Sequence, residues 1–424
     1  MIMNDAEERL RAWQDEGWRH RGPCFELMAN IFPDLGTPPE VASIIAAPSQ
    51  DKDPVVHAYN NLINEIDGLR NELPAKIAVG TLPRTSVWAL SEPVGTDGWL
   101  IAVPLGLMSY LRAFAFIFCR RMQLVRNGAE VTVSLDPHVD DDRKAVSTLL
   151  GSLLEIGWPS TINVGDRLSD EDPAVQSLYD GISRVALDFI LLHELLHAVK
   201  RHSQPERLKT TLFQEAGMLH NEEFEADVFA FSLLLTRYSR SAKQAYLGIS
   251  LLFHALSEYE RFGGGAAAPN WLSHPPVALR FDRLRRSLPN IVAQSKEISA
   301  PLGFTARQLV DLEELLGRYV MGVCVDMLPS SPLNEIFHRA TKEKDPSRGE
   351  RMFIWTNLIW LALGDPDLVM LNLRNVVRDV QNWQHDTNDH EGHVLGASYV
   401  RLIEKFRDLL MSEPRLSSLV DKLD

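Results

Sequence analysis

The segment ILLHELLHAVKRHS, residues 190–203, carries polar side chains inside an apolar run. His193 and His197 are four residues apart, so on an α-helix they lie one turn above each other on the same side. The residues around them are apolar on every side, which is typical of a helix buried inside a domain. Burying two imidazoles and the carboxylate of Glu194 is costly without partners, and a bound cation is a partner that satisfies all three.

The spacing of these three residues is the H-E-x-x-H pattern of zinc peptidases, in which two histidines bind Zn²⁺ and the glutamate is the general base. The alternative is a pair of hydrogen-bonded core histidines. A catalytic zinc site also needs a third protein ligand and one open position for water. Such a site therefore requires an acidic or imidazole side chain further along the chain.

Residues 221–235, NEEFEADVFAFSLLL, offer such a ligand. Their apolar spacing predicts a helix, and Glu223 and Asp227 lie four apart on one side of it. Glu223 can complete the zinc shell, and Asp227 can accept a hydrogen bond from the outer nitrogen of a ligand histidine. The alternative is a solvated acidic face at the start of a helix, where carboxylates are also favourable.

A third segment, WLSHPPVALRFDRLRRSL at residues 271–288, places His274 before two prolines and Arg280 six residues later at a helix start. By themselves these are explained by a loop histidine and a surface arginine. His274 and Arg280 indicate a functional site only in combination with the other two segments.

Together the three segments resemble the HtpX and CAAX-prenyl-protease type family of gluzincin zinc metallopeptidases. HELLHAVKRHS, EFEADVFA and SHPPVALR match that family's three motifs in order and character. The resemblance covers about residues 85–290 and implies a zincin-like, mini-gluzincin core. It also implies that one zinc ion per chain is bound by His193, His197 and Glu223.

The same resemblance implies a role for each remaining residue. Glu194 would be the catalytic base, and Asp227 would orient His193. His274 and Arg280 would approach the substrate carbonyl and steady the developing oxyanion. The segment SVWALSEPVGTDGWLIAVPLGLM is similar to the family's strand pair, in which an edge strand aligns extended peptide.

Composition limits the classes of protein that fit. The chain has 424 residues, 45% hydrophobic and 24% charged, which is typical of a globular protein with two or three folded units. A formal charge of −14 argues against a nucleic-acid or anionic-membrane binder. Three scattered cysteines, no signal-like start and no uninterrupted apolar span predict a cytoplasmic protein without a membrane span.

The coarse pattern predicts an α+β fold that is mostly α, with a small antiparallel β-sheet. We expect an N-terminal helical region at 1–80, the zinc metallopeptidase core at 81–290 and a C-terminal helical domain at 291–424. Within the core, 85–93 and 98–104 read as a β-hairpin, 107–125 as a helix and 129–135 as a third strand. Residues 136–144 read as an acidic loop.

The leading hypothesis is a zinc-dependent endopeptidase acting on an intracellular protein or peptide. A catalytically silent zinc-binding scaffold is the alternative from another class. A narrow stress- or defence-triggered regulatory protease is the alternative within the enzyme class. The sequence does not reveal the oligomeric state, the physiological substrate or the activating signal.

Overall fold

The computed structural model describes thirteen stretches of the chain: 5–18, 21–31, 53–66, 68–74, 76–95, 98–127, 130–158, 173–200, 212–238, 241–267, 274–298, 306–385 and 390–424. The described part is mostly helical, with one three-stranded and one two-stranded sheet. The α+β, mostly α prediction is therefore confirmed at this level.

The first half of the described part contains both helices and strands, and the second half contains helices alone. The first half contains α1 (Asp5–Trp18), α2 (Arg21–Ile31), α3 (Pro54–Glu65), α4 (Leu69–Glu72), β1 (Lys76–Leu82), β2 (Leu90–Val94), β3 (Gly98–Pro104), α5 (Leu105–Cys119), β4 (Met122–Asn127), β5 (Glu130–Leu135), α6 (Val139–Ile156) and α7 (Pro173–Lys200). The second half contains α8 (Leu212–Arg237), α9 (Ala242–Ala267), α10 (Val277–Ile298), α11 (Ala306–Cys324), α12 (Pro332–Lys342), α13 (Pro346–Leu363), α14 (Pro366–His385), α15 (His390–Ser412), a 3₁₀ turn (Ser417–Leu419) and α16 (Val420–Leu423).

Local sequence signals set several helix boundaries. An Asp-Pro pair begins α3, α13 and α14, and in each case the aspartate side chain accepts hydrogen bonds from backbone N–H groups of the first turn. Proline fits at the first helical position because it has no N–H to leave unpaired. At the other end of α6, Gly157 adopts a left-handed conformation with φ of 67°, which glycine tolerates without a steric penalty.

The three-stranded sheet is mixed, with strand order β1-β3-β2. β2 and β3 pair antiparallel, which confirms the predicted hairpin, whereas β1 pairs parallel to β3 from Lys76↔Gly98 to Leu82↔Pro104. The prediction of a purely antiparallel sheet is therefore wrong. The chain leaves β1, forms the edge strand β2 and turns back into the central position as β3.

The prediction of a helical region across residues 1–80 missed β1. The segment KIAVGTL is buried over its last five residues because helices cover the sheet on both faces. A strand buried on both faces reads as a continuous apolar run, and a run this short does not distinguish a strand from a helix.

The predicted helix over 107–125 is wrong over 120–125, since α5 ends at Cys119 and β4 follows. β4 pairs antiparallel with β5 in a separate two-stranded sheet. The Asn127-Gly128 pair between two β-type segments was the available hairpin signal. The acidic loop predicted at 136–144 is mostly helix, because α6 already begins at Val139.

Each face of the three-stranded sheet packs against helices. Val79, Trp99, Ile101 and Val103 belong to the largest hydrophobic cluster, together with residues of α5, α7 and α9. The opposite face, including Leu100 and Ala102, packs on Ala6 and Leu10 of α1. In α7, fully buried leucines such as Leu191 and Leu192 each contribute about 1.5–3 kcal/mol. This burial fixes the orientation of the helix that carries His193 and His197.

A second hydrophobic cluster combines α2 with residues of the C-terminal helices from Leu333 onward. α10 and α11 pack in the first cluster instead. α6 lies between the two, since the backbone N–H of Asp365 bonds to the Ile156 carbonyl at 3.0 Å. The predicted division into three domains stays a prediction.

Within the described stretches, every helix is too short or too polar to cross a membrane.

Candidate metal and peptidase site

α7 and α8 pack side by side and bring three predicted ligands together. His193 Nε2 lies 3.3 Å from His197 Nε2 and 3.3 Å from Glu223 Oε2, and His197 Nε2 lies 3.3 Å from Glu223 Oε1. His193 and Glu223 are buried, and the His197 side chain is only 14% exposed. In the described part, this trio is the one group of histidine, cysteine and acidic ligand atoms close enough to hold a single metal ion.

These spacings fit a tetrahedral metal. Zinc binds imidazole nitrogen and carboxylate oxygen at about 2.0–2.2 Å, so neighbouring ligand atoms of a tetrahedral site are roughly 3.3–3.5 Å apart. The separation between the two imidazole nitrogens matches that edge length, and each nitrogen lies at the same distance from one of the two Glu223 oxygens. Two imidazoles and one carboxylate are also a ligand set that zinc accepts while keeping a fourth position open.

The charges of the site also call for a cation. Glu194, Glu223 and Asp227 carry three negative charges, and Arg280 carries one positive charge. With neutral imidazoles the group holds a formal charge of minus two, and most of it is buried. Such a charge is costly inside a protein unless it is neutralised, and a divalent cation neutralises it. Glu223 Oε2 is buried and makes no hydrogen bond to any described residue.

Asp227 and Arg280 form a second layer behind His193. Asp227 Oδ1 lies 3.0 Å from His193 Nδ1, so the imidazole can donate there and turn its Nε2 toward the other ligands. Arg280 donates to both Asp227 oxygens, from Nε at 2.9 Å and from Nη2 at 2.7 Å. Its Nη1 lies 3.4 Å from Glu223 Oε2. Arg280 is therefore tied to the carboxylates that surround His193.

The pKa values of the site follow from these contacts. Burial by itself lowers the pKa of His193, but the adjacent carboxylates of Asp227 and Glu223 outweigh burial and raise this pKa to about 10. Burial raises the pKa of Glu223, yet His193, His197 and Arg280 hold it well below its ordinary value. The two carboxylates thus create a position that strongly favours a bound positive charge, whether a proton or a metal cation.

His274 lies just before α10 at the mouth of the site. Its Nε2 is 3.5 Å from Glu223 Oε1, and its side chain is 42% exposed. Burial lowers the pKa of His274, and this effect and that of Arg280 outweigh the attraction of Glu223. The start of α10 is held by Glu260, whose Oε2 accepts a hydrogen bond from the Val277 N–H at 2.9 Å.

A cleft of about 620 Å³ opens over the ligands. It is lined by Glu194, His274, apolar residues of α7 and α9, and residues 86–91 on and before the edge strand β2. Ser91 links this strand to the helix of the motif, because its hydroxyl lies 3.3 Å from the Glu194 carbonyl oxygen and accepts a hydrogen bond from Trp99 Nε1 at 2.8 Å. The edge strand and the motif helix thus form two walls of one cleft.

The structure brings all seven predicted site residues to one place. Ser91, Trp99 and Glu260 were not identified from the sequence, because their roles depend on contacts between distant segments. No spacing rule links a serine in a strand to a helix carbonyl more than a hundred residues later. For Arg280 the sequence predicted a contact with the substrate, whereas the structure shows its guanidinium engaged with Asp227.

Comparison with known proteins adds one finding to this geometry. The sequence model of the family Peptidase U49 matches residues 109–298, a stretch that contains all seven site residues. The comparisons with curated proteins and with solved structures found no match. The match indicates a peptidase family and supports a proteolytic function.

Proposed function

We propose that this protein is a zinc-dependent endopeptidase of the gluzincin type, with a zincin-like core. The observation that carries the proposal is the cluster of His193, His197 and Glu223, with mutual separations of 3.3 Å, at the base of a cleft. The Peptidase U49 match over the same helices supports a proteolytic function independently of the geometry. The substrate is then a protein or peptide.

The three ligands would hold one zinc ion, and Asp227 would fix the tautomer of His193. Bound there, zinc supplies Lewis-acid chemistry, including a water of lowered pKa and a polarised substrate carbonyl. Asp227 is itself held by both bonds from Arg280, so the guanidinium acts on the site through Asp227. We therefore assign Arg280 a positioning role rather than contact with the substrate.

Glu194 follows the first ligand on α7, and its side chain lines the cleft instead of joining the ligand cluster. A carboxylate in this position accepts a proton from the attacking water and later donates it to the leaving amine, which is general base and general acid work by one group. A zinc site that only stabilises a fold needs no such carboxylate. This argues against the silent scaffold.

His274 is the donor best placed for the developing oxyanion. It stands at the mouth of the cleft and is partly exposed, whereas Arg280 is buried and lies against the two carboxylates of Glu223 and Asp227. A neutral imidazole still offers one N–H, and a single preorganised donor contributes about 3 kcal/mol to a transition state of this kind.

The edge strand β2 would align the substrate. It is the last strand of the sheet on the side of the cleft, and residues 86–91 line the cleft wall. An extended peptide can add to such an edge through main-chain hydrogen bonds, which places its peptide bonds in a row along the cleft. The scissile bond would then pass between Glu194 and His274.

The test compares the purified wild-type protein with Glu194→Gln on a native cell lysate, with new peptide N-termini identified by mass spectrometry. Glu225→Gln is the matched control, because this glutamate is exposed on α8 and pairs with Lys200 away from the cleft. We expect Glu194→Gln to retain zinc and lose about 10²–10⁴-fold of the cleavage rate. The control should cleave normally, and a zinc chelator should stop both active proteins. Cleavage by Glu194→Gln at the wild-type rate would refute the mechanism.

A further inference from the structure

The three-stranded sheet has a second edge, on the side away from the cleft. Among the described strands, β2 ends the sheet on one side, and β1 ends it on the other. β1 pairs only with β3 among the described residues. Half of its backbone N–H and C=O groups therefore point away from the sheet. Proteins either cover such a row of unpaired groups or use it to pair with another chain.

Contacts of Thr81 show which residues of β1 point outward. The Thr81 N–H donates to Asp53 Oδ2 at 2.8 Å, and the Thr81 carbonyl accepts from Gln14 Nε2 at 2.9 Å. In a strand, the backbone N–H and C=O of one residue point to the same edge, and those of the next residue point to the opposite edge. The backbone groups of Val79 and Ile77 therefore point away from β3, as those of Thr81 do. Asp53 and Gln14 thus close the edge at Thr81 with side chains.

The edge at Ile77 and Val79 faces a groove. The groove has a volume of about 380 Å³ and is lined by residues 77–80 of β1 and by side chains of α1 and α3. Glu7 and Arg11 of α1 stand on one side, and His57 and Asn60 of α3 on the other. No hydrogen bond from a described residue reaches the outward backbone groups of Ile77 and Val79.

The outward backbone groups of Ile77 and Val79 determine which kind of ligand fits the groove. It offers a donor and an acceptor at each of two positions about 6.6 Å apart, which is two residues of a strand. An extended main chain carries the complementary donors and acceptors at the same repeat. The walls of the groove combine charged side chains of both signs with apolar ones such as Leu10, Val56 and Tyr59, so the feature that a strand matches most specifically is the row of main-chain donors and acceptors.

We propose that the groove along β1 binds an extended segment of another polypeptide, which adds to the sheet as a fourth strand. The site lies on the opposite side of the sheet from the cleft and is separate from the proposed catalysis. A second folded copy of this chain fits poorly, because its own β1 edge is also recessed between helices. α1 packs so close to the sheet that a Cβ on Gly80 would lie 2.9 Å from Leu10 Cδ2.

The experiment uses the full-length Glu194→Gln protein with zinc, so that bound peptides are not cleaved. A phage-displayed library of random seven-residue peptides is the probe, and enriched peptides are synthesised and measured by fluorescence anisotropy. Each peptide is then N-methylated at one residue at a time. Strand addition predicts that methylation weakens binding at every second residue and is tolerated between them, because only alternate N–H groups face β1.

Two variants test the position of the site. Val79→Pro removes the outward N–H and keeps the pairing with β3, since proline is tolerated on edge strands. Arg11→Trp fills the groove from α1 and leaves β1 unchanged, so the test survives if the proline variant folds poorly. The matched control is Ala12→Trp, because Ala12 is exposed on the neighbouring position of α1 and does not line the groove.

We expect Val79→Pro and Arg11→Trp each to weaken peptide binding at least tenfold and Ala12→Trp to leave it unchanged. Three results would overturn the proposal: no enriched peptide, binding that survives both groove variants, or equal losses in all three variants. Edge-to-edge dimers that disappear in Val79→Pro would identify a second copy as the occupant and would also overturn it. Because binding is measured without cleavage, these outcomes are independent of the proposed peptidase activity.

Discussion

Two buried polar clusters of this protein differ in their balance of charged side chains. In the first, Asp142 of α6 is fully buried between Arg120, at 2.5 Å, and Arg121, at 3.0 Å, and the hydroxyl of Tyr319 also donates to it. In the second, three carboxylates share one guanidinium and two imidazoles. In the first cluster, protein side chains alone stabilise the buried carboxylate, whereas the second has an excess of carboxylates that a bound cation would neutralise.

The two clusters also differ in how accessible they are to a ligand. The Asp142 cluster joins the end of α5, α6 and α11 through side-chain hydrogen bonds. The Glu223 cluster lies at the base of a cleft of about 620 Å³. An excess of one charge that is buried at the base of an open cleft is typical of a site that binds a ligand.

Asp142→Ala should have the strongest effect on stability. Removing this carboxylate leaves two largely buried guanidinium groups without their partner, which costs about 3–5 kcal/mol. Urea unfolding should show this loss equally with zinc and with a chelator, because the cluster has no part in metal binding. Asp140→Ala is the control, since its side chain is 98% exposed, and it should change stability by less than about 0.5 kcal/mol. A loss that appears only in the zinc-bound protein would mean that the two clusters are not independent.

A smaller effect is expected for Asp227→Asn, on zinc affinity. The amide keeps the shape of Asp227 but weakens the hydrogen bond that orients His193, and changes of this kind reduce metal affinity about 10–100-fold, or about 1.4–2.7 kcal/mol. Competition with a chelating dye measures the affinity directly. Asp180→Asn, at an exposed position of α7, serves as the control. Unchanged zinc affinity in Asp227→Asn would show that Asp227 only neutralises Arg280.

The weakest effect is a pH dependence of the Asp142 cluster. Burial by itself raises the pKa of Asp142, but hydrogen bonds from Arg121, Tyr319 and Arg120 outweigh burial and hold it below its ordinary value of 3.8. A lowered pKa stabilises the fold above the unfolded value and loses this contribution as pH falls through the folded value. The stability advantage of the wild type over Asp142→Asn should therefore be constant from pH 7 to about pH 5 and shrink below pH 3.8. An advantage that grows on acidification would contradict this sign.

Much of the helical part was predictable because long amphipathic or buried helices carry a repeat that survives tertiary packing. α7 and α8 follow from apolar spacing, and the β2–β3 hairpin follows from aromatic and β-branched residues around a turn. β1 and β4 were missed because each is a short apolar segment next to a helix, where local pattern does not decide. β1 pairs with β3, which lies beyond β2 in the chain, whereas β4 pairs with β5, the next strand, and the Asn127-Gly128 pair between them was the available local signal for that hairpin.

Some residues of the candidate site could be predicted from the sequence, and others could not. The positions of His193, His197, Glu223 and Asp227 on two helix faces follow from four-residue spacing, so their convergence could be expected once the helices pack. The direction of the Arg280 side chain could not, because it depends on how α10 packs against α8. Ser91 and Glu260 were missed for the same reason, since their partners lie on other elements.

The zinc content of four purified proteins decides whether α7 and α8 together form a metal site. Each protein is equilibrated with zinc, passed through a desalting column and analysed for metal: wild type, Glu194→Gln, His197→Ala and Glu223→Ala. We predict about one zinc per chain in the first two and less than roughly one tenth of that in the last two, because each ligand variant removes one of three protein ligands. Equal zinc in all four proteins, or none in the wild type, would contradict the proposal that these side chains bind the metal.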